Sequence, residues 1–315
     1  MKTILVPLDG TIFGEQALPT AVSLARRTGA TLELMLVNET NPGAGLERWP
    51  WAISSADTHT DYIAEQARRL RHTTDLVVEY SVANGRSADQ ICRYADAHDV
   101  DLIVMTSRCP TGLARVLGGS VADAVVRHSR TPVLLTHPPP PGRRIRHVTI
   151  RPDRVLVALD GSDEALAALE SAIAISDRGA TEIHLVEIVR PVKQPIRGPG
   201  RGRLDTHATA RLMDGANTQL EALASAIADR TGCDVFPHVH ADVDVAHGIR
   251  HVARGFNVSL IAMGSHGRGA SRLLVGSVVE RLLRDGRFPM LLVRAPNKRL
   301  HDDDVHSRAV GVDHV

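Results

Sequence analysis

The chain has 315 residues, room for two domains of ordinary size, and its 43% hydrophobic and 23% charged residues exclude a disordered or fibrous polymer. Lys plus Arg total 37 against 36 Asp plus Glu, so the net charge is +1, and aromatics are 3%; without a cationic field or stacking platforms, nucleic acid is not an expected partner. Three cysteines, Cys92, Cys109 and Cys233, are too few and too scattered for a disulfide framework or a cysteine zinc site, which fits a reducing compartment.

The start, Met1-Lys-Thr-Ile-Leu-Val-Pro-Leu-Asp9, runs straight into a short apolar segment that ends in an acid. It lacks the apolar core and small-residue cleavage site of a secretory signal, and no run approaches the roughly eighteen apolar residues of a membrane span. The expectation is a soluble, cytoplasmic chain with no membrane partner. Short runs rich in Val, Ile and Leu mark strands at about 3–8, 31–37, 76–82, 101–106 and 132–136. A second set follows at about 154–159, 182–189, 234–240, 259–263 and 289–293. Between them Glu15 to Arg27, Ala88 to His98, Val121 to His128 and Glu164 to Ile175 carry apolar residues at helical spacing. Alternation of helices with strands this apolar predicts an α/β fold whose parallel sheet is covered on both faces.

The two sets of strands belong to a duplication. Ile4-Leu-Val-Pro-Leu-Asp-Gly-Thr11 matches Val155-Leu-Val-Ala-Leu-Asp-Gly-Ser162, at an offset of 151 (155 − 4). Asp101-Leu-Ile-Val-Met-Thr-Ser107 matches Ser259-Leu-Ile-Ala-Met-Gly-Ser265, at 158 (259 − 101). Gly119-Ser-Val-Ala-Asp-Ala-Val-Val126 matches Gly276-Ser-Val-Val-Glu-Arg-Leu-Leu283, at 157 (276 − 119). The drift marks a mid-domain gain and then one residue lost between the last two matches. The expected organisation is a first domain over 1–140, a Pro/Arg-rich linker over 141–153, a second domain over 154–296 and a disordered polar tail over 297–315. Four consecutive prolines after His137 suit a semi-rigid spacer, and the Pro/Gly/Arg-rich stretch from Arg190 to Arg203 suits a surface loop.

In an open parallel sheet, ligands bind beyond the carboxyl ends of the strands, where the strand order reverses. Asp9-Gly10-Thr11 and Asp160-Gly161-Ser162 close the first strand of each half, and the fourth strand of the second half runs into Gly264-Ser-His-Gly267, then Gly276-Ser277 and a helix. Glycines allow close backbone approach, and a helix start offers unpaired N–H groups and a positive dipole end. The pattern points to a phosphate-bearing ligand whose sugar or base reaches the strand-one acid. It is not a Walker A loop, and neither first strand leads into Gly-x-Gly-x-x-Gly. The plainer alternative is that the glycines build a tight turn and Ser277 caps a helix.

Asp-Gly-Ser/Thr after strand one, Met-Gly-Ser-His-Gly after strand four and Gly-Ser-Val before the last helix together resemble the universal stress protein family, over about Lys2 to His137 and again Arg154 to Ala295. The resemblance implies two tandem, doubly wound, five-stranded, Rossmann-like domains of strand order 3-2-1-4-5. It also implies an intramolecular pseudo-dimer, pairing of two chains into a homodimer and, as in many members, bound ATP with or without Mg2+. On the family's Gly-x2-Gly-x9-Gly-Ser/Thr pattern, Gly264, Gly267, Gly276, Ser277 and the Val278 backbone fall on the phosphates. Asp160 falls on the ribose or adenine end, and Ala158 and Ile188 line the adenine. The second half has eight residues between Gly267 and Gly276 where the pattern has nine. In the first half Pro7, Asp9 and Val37 fit the nucleoside and Gly119 and Ser120 the phosphates, but Thr106 and Cys109 replace glycines. The second site therefore ranks ahead of the first.

Other clusters carry bland readings beside the sharp ones. His238, His240, Asp242, His247 and His251 have spacings that can converge on a metal, or they decorate a solvated edge strand. His266 can serve as an acid or base, Arg268 and Arg272 can neutralise phosphate, and Cys109 can be a redox thiol or inert filler. Trp49 and Trp51 suit a packed lid over the sheet. No nucleophile, base or carboxylate set for fast phosphoryl transfer is evident, so the expected function is an ATP-binding, nucleotide-dependent regulatory module of the stress response, not a high-turnover enzyme. The alternatives are an interaction scaffold without nucleotide and a slow ATPase.

Overall fold

The computed structural model describes residues 1–39, 56–107, 121–137, 149–177, 179–194, 203–266 and 275–294. The first half runs β1 (Thr3–Leu8), α1 (Leu18–Thr28), β2 (Thr31–Asn38), α2 (Ala56–Thr73), β3 (Val78–Asn84), α3 (Ser87–Ala97), β4 (Leu102–Thr106), α4 (Val121–His128) and β5 (Val133–Thr136). The second repeats it as β6 (Arg154–Leu159), α5 (Asp163–Ile175), β7 (Glu182–Val189), α6 (Thr206–Thr231), β8 (Asp234–Ala241), α7 (Val245–Gly255), β9 (Leu260–Gly264), α8 (Ser277–Asp285) and β10 (Met290–Val293).

All ten strands form one sheet in the order β3-β2-β1-β4-β5-β10-β9-β6-β7-β8. Read from either outer edge inward, each half has the order 3-2-1-4-5, and within each half every neighbour is parallel. The halves meet through one antiparallel pair, β5 against β10, with Leu134 opposite Leu291. Those two residues are equivalent under the offset of 157, so the pseudo-two-fold axis passes through their contact. Met290 opposite Leu135 and Leu292 opposite Val133 obey the same symmetry.

Successive residues of a strand point to opposite faces, and here both faces are buried. Ile4, Val6 and Leu8 join Val155, Val157 and Leu159 on one side, under α1, α2, α5 and α6. Leu5 and Leu156 join the other, under α3, α4, α7 and α8. That double burial is why the inner strands read as unbroken aliphatic runs, each buried Leu, Ile or Val contributing about 1.5–3 kcal/mol relative to exposure. The two halves therefore share cores on both faces. Their junction also carries Arg27 on α1, 3.9 Å from both Asp153 and Asp177, and the buried Ile150 N–H donating to Thr20 Oγ1 at 3.2 Å.

Most boundaries agree with the sequence expectation to within a residue, and three of the differences are instructive. The helix expected from Glu15 starts as a 3₁₀ turn, Gly14–Ala17, and becomes α1 at Leu18, where Pro19 suits a first helical turn. β3 lies two residues later than expected, because an edge strand with one half-polar face gives a weak apolar signal. β9 extends through Gly264.

Candidate functional site

The order reverses between β1 and β4 in the first half and between β6 and β9 in the second. Because β5 and β10 are antiparallel, the carboxyl ends that bound these crevices lie on opposite edges of the sheet. The molecule thus presents two separate crevices.

In the second half, Asp160 follows β6 and remains exposed. Its Oδ1 accepts from the Ser162 N–H at 3.0 Å and the Ser162 hydroxyl at 2.5 Å, while Ser162 Oγ accepts from Ala165 N and caps α5. Gly161 stands between them at φ 74°, a left-handed conformation that favours glycine. The first half repeats the device: Asp9 Oδ1 accepts from Thr11 N and Oγ1 at 3.1 and 2.6 Å, with Gly10 at φ 72°. Asp-Gly-Ser/Thr is thus a carboxylate fixed at a strand end by the cap of the next helix.

Gly264 ends β9 beside it. A Cβ there would lie 2.7 Å from Glu164 Cβ and 3.2 Å from the Glu164 carbonyl carbon, so this glycine lets β9 pass under the first turn of α5. The chain leaves at Ser265, whose N–H donates to Val293 O, and returns at Gly276, whose N–H donates to Ser265 O at 3.0 Å. That bond sets the start of α8 against the end of β9. Gly276 is the N-cap of α8, at φ −59° and ψ 143°, and, having no side chain, gives the helix no cap of its own. The three other second-half helices are closed by Ser162, Asp205 and Asp244. At the start of α8 Ser277 is exposed and the Val278 side chain is half-buried behind it; a helix start carries unpaired N–H groups and the positive end of the helix dipole.

Ala158 and Ile188 lie on adjacent strands and on the same face, since Ala158 pairs with Val186. Both are half-buried and, like Val275 and Val278, pack against the core on the α7/α8 side. The structure therefore brings together Ala158, Asp160, Ile188, Gly264, Gly276, Ser277 and Val278. Gly267, Arg268 and Arg272 lie outside the described residues.

The universal stress protein family model matches the chain twice, over residues 1–137 and 152–294. The chain belongs to the universal stress protein family. A universal stress protein of Methanocaldococcus jannaschii is 26% identical over 141 residues, 44% of this chain and 83% of the relative. One of Mycobacterium tuberculosis is 27% identical over 210 residues, and the chain spans 63% of that relative's length. Among solved structures, a universal stress protein from Archaeoglobus fulgidus superposes with a TM-score of 0.64 at 20% identity, covering 94% of this chain and 97% of the other. That likeness concerns the fold.

In this universal stress protein the first-half crevice is built differently. Pro7 and Val37 are half-buried, Val37 against the α3/α4 side, and Asp9 is exposed. Thr106 takes the place of Gly264, and its hydroxyl pairs with Thr136 Oγ1 at 3.1 Å. A side chain fits there because the segment after Asp9 is the 3₁₀ turn, with Phe13 in place of Glu164. Cys109, Gly119 and Ser120 lie outside the described residues, as do Trp49 and Trp51.

The histidines separate into contacts rather than a centre. His238 Nε2 meets His184 Nδ1 at 3.0 Å, His240 stacks on His251 at 5.0 Å, and His247 Nδ1 meets Asp242 Oδ2 at 2.6 Å. Among the described residues no three or more of His, Cys, Asp and Glu gather closely enough to hold a metal. The His247 contact, then the Asp244 N–H, hold the Asp242 carboxyl below its usual range. His266 is buried, with Nδ1 2.8 Å from Ser265 Oγ.

Sequence reasoning missed Gly248. A Cβ there would lie 3.0 Å from Ile188 Cδ1 and 3.1 Å from Asp242 Cβ, so its absence seats α7 directly behind the apolar wall of the crevice. The signal was a glycine inside a helical pattern, which marks close packing more often than a break. No described helix is long and apolar enough to cross a membrane.

Proposed function

We propose that the second-half crevice binds ATP and that the chain acts as a nucleotide-dependent regulatory module of the stress response. The observation that carries this reading is the start of α8, where Gly276 supplies no side-chain cap and is tied by its bond to Ser265 to the strand end beside Asp160. The Ser277 and Val278 N–H groups and the helix dipole would hold the phosphates, as a helix start holds an anion. Asp160 would accept from the ribose, and Ala158 and Ile188 would flank the base. Bound between strand ends and α8, the nucleotide would fix the loop that joins them and so favour one form of that surface. Hydrolysis has less support: His266, the loop residue suited to move a proton, is turned inward onto Ser265.

Isothermal titration with ATP, with and without Mg2+, tests the reading alongside Gly276→Asp. The φ and ψ of Gly276 suit any residue, so the variant should fold. An aspartate there would cap α8 and repel phosphate, and affinity should fall about a hundredfold, roughly two lost charge-assisted bonds. Absence of heat at millimolar ATP, or equal affinity in the variant, overturns the assignment and leaves the interaction scaffold.

A further inference from the structure

Beyond Val189 the chain does not turn at once into α6. Gln194 N donates to Arg203 O and Asp205 N to Val192 O, both at 2.8 Å, and Lys193 bridges Leu204 in antiparallel fashion. The Val192 N–H donates to Thr209 Oγ1 at 3.0 Å, fastening this two-stranded root to the first turns of α6. α6 has 26 residues against 18 in α2, and its first buried residue is Ala216. Its first ten residues, about 15 Å of helix, therefore stand clear of the core. Leu212, one turn ahead of Ala216 on the buried stripe, is 53% exposed, and Leu204 at the root is 49% exposed.

Around these two leucines stand Arg190, Lys193, Arg203 and Arg211, all exposed. None of the four makes an ion pair among the described residues, whereas Arg154, Arg230, Arg254, Arg281 and Arg284 of the same half all do. Unpaired cations around exposed aliphatic side chains fit an acidic segment with apolar residues of its own.

The sequence contains such a segment. Asp302-Asp303-Asp304 is the only run of three consecutive acids in the chain, and Leu300 and Val305 flank it. β10, β9, β6 and β7 are mutually parallel neighbours, so Val293 and Val189 finish at the same edge of the sheet. Three strand spacings separate them, about 14 Å. Arg294 to Asp302 is eight residues (302 − 294), a reach of about 27 Å when extended.

We infer that the cationic, leucine-bearing root of the β7–α6 connection is the docking surface for the chain's own acidic segment Leu300–Val305. In this arrangement the segment crosses the ends of β9 and β6 to reach Lys193, Arg203 and Arg211. It does not require a nucleotide in the crevice, whose mouth this path crosses.

The chain has three lysines, Lys2, Lys193 and Lys298, which makes a carbodiimide cross-link between an amine and a carboxylate a specific reporter. Full-length protein, as a mixture of isotopically light and heavy copies, is cross-linked at low salt, digested and weighed. A Lys193 link to Asp302–Asp304 within one copy is expected. Links from Lys298 to the same aspartates, a few residues away, control for reactivity, and Lys2, at the amino end of β1 on the same edge of the sheet and also three strand spacings from β10, is the equidistant reference and should give far less product than Lys193. The Lys193 product should fall about tenfold near 1 M salt, where the screening length shrinks from about 10 to 3 Å. It should fall similarly in Arg203→Glu/Arg211→Glu, with the Lys298 product unchanged. The inference is overturned if Lys298 links form without the Lys193 link, if that link joins only different copies, or if salt and charge reversal leave it unaltered.

Discussion

Gly264 and Gly276 belong to one glycine pattern in the sequence, yet they are glycines for unlike reasons. At Gly264 the reason is steric: a methyl group would meet Glu164 Cβ at 2.7 Å, in the rigid first turn of α5. Gly264→Ala should therefore cost about 1–3 kcal/mol through overpacking. At Gly276 the backbone would accept a side chain, and Gly276→Asp should stabilise the unliganded protein by a few tenths of a kcal/mol by capping α8. Urea unfolding of both variants measures the contrast; equal losses would mean that the open start of α8 is a packing requirement and not a site. The spacing of these glycines was legible in the sequence, but their separate reasons were not, because Glu164 approaches Gly264 only through tertiary contact. Asp9 and Asp160 were legible for a local reason: each is fixed by a residue two positions on.

At the scale of elements, the inner strands were readable because burial on both faces leaves little but Val, Ile, Leu and Ala. The edge strands were placed too, β8 to within a residue and β3 two residues early, but the role of their polar face was not legible. β8 alternates Val235, Pro237 and Val239 with Phe236, His238 and His240, and the histidine side suggested a metal until β7 and α7 were in place. In the structure His184 of β7 is buried and paired with His238, with Phe236 beside it, Phe256 of the α7 C-cap over both rings, and Glu182 Oε2 3.5 Å from His184 Nε2. Burial lowers the His184 pKa, opposed by Glu182, and burial then the charge of His184 lower that of His238. Folded pKa values below the ordinary 6.5 mean that the stability contributed by this pair is complete above about pH 6.5. It is lost as pH falls through the lowered values, because unfolding then takes up protons. His238→Gln keeps a polar partner for His184 but does not titrate. Between about pH 7 and 5 its unfolding midpoint in urea should fall less steeply than that of the parent chain, by up to about 1.4 kcal/mol per pH unit for the proton removed. Parallel slopes would show that the pair is charged already or solvated. The same strand position in the first half holds Glu33, whose carboxyl is pushed up by burial, with the Tyr94 hydroxyl opposing.

For the whole molecule, the duplication announced two domains, and the structure joins them into a single sheet. The Leu134–Leu291 contact at the pseudo-two-fold is where that union can be tested, since both side chains are fully buried in one core shared by helices of both halves. Leu134→Ala and Leu291→Ala should each cost about 2–5 kcal/mol, by similar amounts because the two sites are equivalent. Each leucine is the other's neighbour across β5 and β10, so the double variant should lose less than the sum, with a coupling of about 0.5–3 kcal/mol. If the halves were independent units that merely touch, chemical denaturation would instead show two transitions, with each substitution shifting only its own. A single transition shifted by either variant, monitored by fluorescence of Trp49 and Trp51 in the first half and by circular dichroism for the whole chain, is the expected result. One cooperative unit would also give the two opposed crevices a route for communication: strain at the end of β9 reaches β10, β5 and then β4, the strand that carries Thr106, through contiguous hydrogen-bonded strands.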